Sequence, residues 1–247
     1  MQKTLSLLAI LLFVLVSPAI LNAQVTIQVG AGAGIGMPAG DYKGATTEYY
    51  AGNNYGMGNG INFHAKARLG LIGFRLTGEV DYTSYSNSGD AEAGKGTLDV
   101  KHKILAFRVG PEFHLSLPLV PVTPYLGANV ALNTFSGETS FQGVARVPSQ
   151  TFTMESASRI GVGFSGGVIL KAGLFMTLDL NASYHLMNIS GKEWKDINPI
   201  TDQRLDTYLA LNDEQDPQYK SGDVNHVIGN ARSINAMQFR ATLMFGL

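Results

Sequence analysis

His185 follows Ser183 by two residues and Asp179 by six, and Ser190 lies five further on, so one short segment holds a serine, a histidine and a carboxylate. A nucleophile with a neighbouring base and an acid to orient it is the arrangement of hydrolytic chemistry. In an extended strand, however, Ser183 and His185 stand about 7 Å apart on one face, with Asp179 four residues further down. Contact would need help from another strand, so an ordinary polar row is the better reading. Metal chemistry is no better served. The five histidines include no HExxH and no close pair, and Asp213, Glu214, Asp216 and Asp223 lack the EF-hand spacing, which leaves a solvated acidic loop. No catalytic residue, cofactor or metal ligand is expected.

A larger set of ionisable residues lies in strand-like stretches. INFHAKARLGLIGFRLTGEVDY, Ile61 to Tyr82, sets apolar rows against His64, Lys66, Arg68, Arg75, Glu79 and Asp81. ILAFRVGPEFHL adds Arg108, Glu112 and His114, FMTLDLNASYHLM adds Asp179 and His185, and the last such stretch adds Arg240. Five cations and four carboxylates nearly balance, and charges withdrawn from water persist only when paired and hydrogen-bonded. Guanidinium groups suit carboxylates bidentately. These nine residues are therefore expected to form an ion-pair network, with the three histidines as hydrogen-bonding partners.

What must position them is a sheet. Period-two alternation runs through eight segments: 26–38, 61–69, 72–82, 104–115, 124–135, 159–170, 175–187 and 234–247. Their links alternate in length, short near 70–71, 116–122 and 171–173, long and polar at 38–60, 83–101, 136–158 and 188–233. A meander of this kind puts every short turn and both termini at one end, the layout of outer-membrane barrels.

Alternation alone does not say which face meets water, since a soluble lipocalin-like barrel points its apolar row inward. Strands of about 9–11 residues suffice to cross a membrane in a closed barrel, and these reach that length. Aromatic residues cluster near strand ends: Phe63, Tyr82, Phe135 and Tyr184 at the outer rim, Phe74, Phe113, Phe175 and Phe245 at the inner one, as two interfacial girdles would require. The polar face mixes charges with glycine, alanine and serine, so strands one and six leave room for long side chains from their neighbours. An eight-stranded interior is just wide enough to be filled. A packed lumen is expected rather than a channel.

The N-terminal MQKTLSLLAILLFVLVSPAILNAQ reads as a cleaved secretory signal over residues 1–23, with Lys3 before an apolar run and a small-residue cleavage site before Gln24. Residues 24–247 form one domain. Cysteine is absent, which removes a lipoprotein anchor and any disulfide scaffold. Of 18 Lys and Arg, Lys3 belongs to the leader, leaving 17 against 19 acidic residues, so nucleic-acid binding has no electrostatic support.

With its signal peptide, FRVGPEFHLSLPLVPVTPYLGANVALN and the closing QFRATLMFGL, the chain resembles the small eight-stranded outer-membrane barrels of the OmpA-membrane-domain and OmpX type. The resemblance covers Gln24 to Leu247. It implies an all-β, antiparallel up-and-down transmembrane barrel in a Gram-negative outer membrane, with lipids, lipopolysaccharide and the assembly machinery as partners. In that group the terminal strand usually ends on an aromatic residue read by the insertion machinery; here Phe245 holds the apolar parity but stands two residues before the end. No peptidoglycan-binding domain follows, so anchoring of that kind is not expected.

Specific recognition would have to reside in the long links. Link one holds Tyr42, Tyr49, Tyr50 and Tyr55 among Gly and Asn, a composition like adhesive or carbohydrate-contacting surfaces, with Trp194 as a further candidate for loop recognition, although a plain loop is the better reading. In link four, TDQRLDTYLALNDEQ is expected to form a short helix with Leu205, Tyr208 and Leu209 on one side and Trp194 as packing partner, capping the mouth. A structural or surface-interaction barrel leads, against a narrow passive channel and a soluble periplasmic lipocalin-like binder.

Overall fold

The computed structural model describes residues 26–71, 73–115, 120–197 and 204–246. The expected leader, residues 1–23, lies outside them. Among the described residues eight antiparallel strands close in sequence order into a barrel, β1 pairing with both β2 and β8. They are β1 Thr26–Ala39, β2 Gly60–Leu71, β3 Phe74–Glu92, β4 Lys95–His114, β5 Val122–Gln142, β6 Thr151–Lys171, β7 Met176–Ser190 and β8 Asn235–Gly246.

Two expected long links are not loops. Strands β3 to β6 run 19 to 21 residues, so 83–101 is a hairpin turning at Ala93-Gly94, and 136–158 closes to residues 143–150. Gly94 supplies the positive φ of 70° that the tight turn requires. At the other end, Leu71 pairs with Phe74, so β2 continues through the short link expected at 70–71.

The register gives the physical reason for the long strands. Outward-facing Val80, Phe107, Leu132 and Ile160 lie side by side across β3 to β6. One step higher stand Tyr82, Leu105, Thr134 and Ser158, and the next step brings Ser84, Lys103 and Ser136. The outer face thus turns from apolar to polar within two rows. The inner face turns the other way: Glu79 and Arg108, then Asp81 and Asn133, then Ile104 and Phe135, then Tyr85, His102 and Met154. Hydrocarbon surrounds the lower barrel and water the upper part, so the buried and exposed partners exchange at the lipid line.

Above that line the hydrophobic core is of the water-soluble kind. Tyr85, Leu98, Val100, Phe135, Phe141, Phe152 and Met154 from the strands enclose Tyr42, Tyr49, Tyr50, Tyr55 and Met57 from link one and Leu205, Tyr208 and Leu211 from link four. Link one carries helix α1, Thr46–Tyr50, and link four carries α2, Asp206–Leu209. Of the helix expected over 201–215, the described residues form one turn, Asp206–Leu209.

The girdles follow the expected positions with one exception. Phe63, Tyr82 and Tyr184 point outward above, and Phe74, Phe113, Phe175 and Phe245 outward below. Phe135 does not. It shares the parity of Asn133, faces inward and is fully buried in the exterior core.

Candidate functional site

The lumen is built from the inward parity of every strand. Glycines of β1 provide depth: a Cβ on Gly32 would come within 2.7 Å of His64 Nε2, and one on Gly34 within 2.7 Å of Arg240 Cγ. Long side chains from β2, β3, β4 and β8 fill that space.

Two four-membered ionic clusters occupy it. In the lower one, Lys66 Nζ and Arg68 Nε each lie 2.6 Å from a Glu112 oxygen, and both cations reach Asp179. In the upper one, Arg108 lies 3.0 Å from Glu79 and 2.8 Å from Asp81, while Arg240 pairs with the same two carboxylates. Each cluster holds two cations and two carboxylates, so the desolvated charge is neutralised where it sits. Arg75 enters neither: its guanidinium donates to Gln28 Oε1 at 2.6 Å.

Two residues outside the expected network join the clusters. Arg240 Nη2 donates to Asn181 Oδ1 at 3.0 Å, Asn181 Nδ2 donates to the Tyr125 hydroxyl at 2.9 Å, and that hydroxyl donates to Asp179 Oδ1 at 2.8 Å. Tyr125 also stacks on His114, which is 3.0 Å from Glu112. Both residues stand on the polar parity of their strands, the one signal that marked them. Between the clusters a void of about 20 Å³ remains, space for about one water. His64 bridges Asn62 and Thr242 at 2.9 and 2.7 Å.

His185 and Ser183 do touch, at 3.0 Å through Nε2 and Oγ, where strand spacing had placed them apart. The side chains lean together along the strand. Asp179 nevertheless serves Arg68, Lys66 and Tyr125, and Ser190 is exposed, so no carboxylate orients the imidazole.

The exterior tyrosines correct the reading of link one. Tyr42, Tyr49, Tyr50 and Tyr55 are between 0 and 4% exposed, so they build the core rather than a recognition surface. Their rings are large enough to fill the space inside the extended wall; the Tyr49 hydroxyl bonds Thr139 at 3.0 Å and that of Tyr50 donates to the Ala145 carbonyl at 2.6 Å, while those of Tyr42 and Tyr55 are buried with no hydrogen-bond partner among the described residues. Trp194 is half-buried in the segment after β7. In link four Glu214 is exposed and Asp223 is not buried, as a solvated acidic loop would have them, but Asp213 and Asp216 depart from that reading. Asp213 is fully buried and accepts from Arg159, Asn188 and the Glu193 amide, and buried Asp216 meets His226 at 2.9 Å. Among the described residues no group of His, Asp and Glu is placed to hold a metal ion.

His102 sits in this exterior core between Tyr42 and Tyr55, with Arg232 nearby on the ring of Tyr55. Burial, aided by Arg232, lowers its pKa from 6.5 to about 3. The unfolded chain takes up this proton below pH 6.5 and the folded one does not, so the stability that neutral His102 permits is lost as pH falls from 6.5 towards 3. Unfolding of the exterior part, followed by near-ultraviolet circular dichroism, is expected to become easier over that interval, and His102→Phe is expected to flatten the dependence.

A closed ring of eight strands, an apolar belt outside and ionic clusters inside define a small outer-membrane β-barrel. The model of the Opacity family porin proteins matches residues 69–200, more than half of the chain, and the chain belongs to that family. It is a small outer-membrane β-barrel protein of that family. Among solved structures it is similar to Neisserial surface protein A, at 17% identity over 91% of this chain and 98% of that one, TM-score 0.47. A major outer membrane protein from Thermus thermophilus gives 16% identity over 91% and 100%, TM-score 0.46. The N-terminal barrel domain of Pseudomonas aeruginosa OprF gives 8% over 92% and 100%, TM-score 0.41. No curated protein matches the chain.

Proposed function

We propose that the protein is a sealed barrel that serves envelope structure or surface interaction through its exterior part, and that it passes no solute. One observation carries the reading: the path along the axis meets two paired ionic clusters and then the aromatic core above them. The void between the clusters, about 20 Å³, holds about one water and offers no continuous hydrated path. Above it Tyr42 and Tyr85 pack edge to face at 5.2 Å across the mouth. Opening a passage would strand buried charge and expose the tyrosine cluster together.

Reconstituted into planar bilayers, the protein is expected to give no unit currents above leak. Steady unit conductance would replace this reading with the narrow channel. Free recovery from cells without detergent would instead favour the soluble binder, but outward Phe107 and Leu243, 50% and 39% exposed, support lipid contact.

Export is proposed to follow cleavage before Gln24, so the mature N-terminus should sequence as QVTIQ. Outward Phe245 is proposed as the residue met by the assembly machinery.

A further inference from the structure

We infer that the periplasmic end of the lumen is an oxyanion site, where the free edge of the Arg75 guanidinium takes a carboxylate or phosphate group from the periplasm. This goes beyond the sealed-barrel reading and concerns a cation that neither ionic cluster uses.

Charge balance is the first argument. Lys66 and Arg68 are matched by Glu112 and Asp179, and Arg108 and Arg240 by Glu79 and Asp81, so each cluster is closed. Arg75 is a further cation with no carboxylate of its own. Among the described residues its guanidinium makes one hydrogen bond, from Nη1 to the neutral Gln28 Oε1 at 2.6 Å. A half-buried charge held only by an amide stays uncompensated, and withdrawal from water makes that costly. An anion from outside supplies the missing partner.

Placement is the second. Arg75 pairs with Gly70 on β2, and a Cβ there would strike Arg75 Cγ, so the side chain crosses β2 where nothing blocks it. It ends at Gln28 on β1, whose register partner on β2 is Arg68. Two guanidinium groups are thus neighbours at the floor of the lumen. Arg68 commits Nε and Nη2 to Glu112 and Asp179, while its Nη1 is buried with no hydrogen-bond partner. The single bond of Arg75 leaves its Nε and Nη2 edge free, and two parallel donors match the paired oxygens of a carboxylate or phosphate.

The third is the charge of this end. Short links face the periplasm in such barrels. Residues 70–74, 115–121 and 171–176 contain Lys171 and no aspartate or glutamate. Lys171 is exposed at the end of β6. An approaching anion therefore meets positive potential and no competing acidic side chain in these links.

The test uses the purified protein in dodecylmaltoside micelles, which carry neither phosphate nor carboxylate, with arginine side chains labelled with nitrogen-15. Inorganic phosphate and acetate are titrated against chloride at constant ionic strength. The Arg75 Nε resonance, assigned by its loss in Arg75→Lys, is expected to move saturably with either oxyanion and not with chloride. The temperature at which the compact gel band is lost should rise in step, since a ligand of the folded state alone stabilises it. Gln28→Glu keeps Arg75 and sets a carboxylate beside it, so it is expected to abolish both responses. Shifts that fail to saturate, an equal response to chloride, or a response that survives in Gln28→Glu would overturn the proposal. Phosphatidylcholine nanodiscs separate the sources: a resonance already at its phosphate-saturated position before any anion is added would assign the site to a lipid head group and overturn it likewise. Conductance is read separately, so failure here leaves the sealed lumen standing, and channel currents would leave the anion response standing.

Discussion

Glu112→Leu is expected to destabilise the folded barrel by about 3–5 kcal/mol, because removing one member of a buried ion pair strands its partner. Glu112 is 3% exposed and meets Lys66, Arg68 and His114 at 2.6, 2.6 and 3.0 Å. Its loss leaves two cations sharing Asp179 beside a void that holds about one water. The readout is the temperature at which the compact, fast-migrating band of the unboiled protein disappears in detergent gels. Arg108→Leu should act similarly from the upper cluster, where Glu79 and Asp81 would be left with Arg240. A hydrogen-bonded chain through Asn181 and Tyr125 links the two clusters, and Lys66 stands beside Glu79 in the register, so the double variant tests their coupling: additive losses mean independent clusters, a shortfall means one network. If both single variants melt like the parent protein, the lumenal pairs carry no stability.

Phe141→Ala should unfold the exterior part while sparing the barrel below. Phe141 is fully buried, with Tyr208 at 4.7 Å and Phe152 at 6.0 Å between ring centroids. Truncating such a ring costs about 3–5 kcal/mol, from lost burial plus the cavity left behind. It is the side chain where the β5 wall, link one through Tyr50 and link four through Tyr208 converge. Rapid proteolysis of the segment between β7 and β8, with an unchanged heat-shifted band, is the expected outcome. If the band shifts along with proteolysis, the exterior part and the barrel unfold as one unit.

The contrast between these variants shows what the sequence made legible. Below the lipid line, Ile61 to Leu69 and Phe74 to Tyr82 alternate cleanly, and parity alone sorts lipid-facing from lumenal residues. The ionisable residues of those rows can therefore be named without coordinates, although their partners cannot, because β2, β4 and β7 meet across the lumen and not along the chain. Above the line the same rule misleads. Tyr85, Leu98 and Val100 continue the parity of Glu79 and Arg108, so a reading fixed on one apolar face takes the change of sides for the end of the strand. Tyr42 to Tyr55 fail for a related reason. Glycine and asparagine around them look like a surface loop, but the wall that encloses them is invisible until 83–101 is recognised as a hairpin. Asp213 looked solvated because its partner Arg159 lies 54 residues away.

The exchange of faces at the lipid line also sets a rule for change. Bilayer thickness fixes the length of the lower strands, but nothing of the kind limits β3 and β4 beyond Ser88 and Asp99. Side chains alternate with period two, so paired insertions there keep serines outward and tyrosines inward, whereas a single residue inverts every side chain up to the next irregularity. The bulge at Phe135 and Gly137, where β5 meets β6, is such an absorber. Exterior stature in this molecule can therefore grow or shrink in even steps, without disturbing the charges beneath.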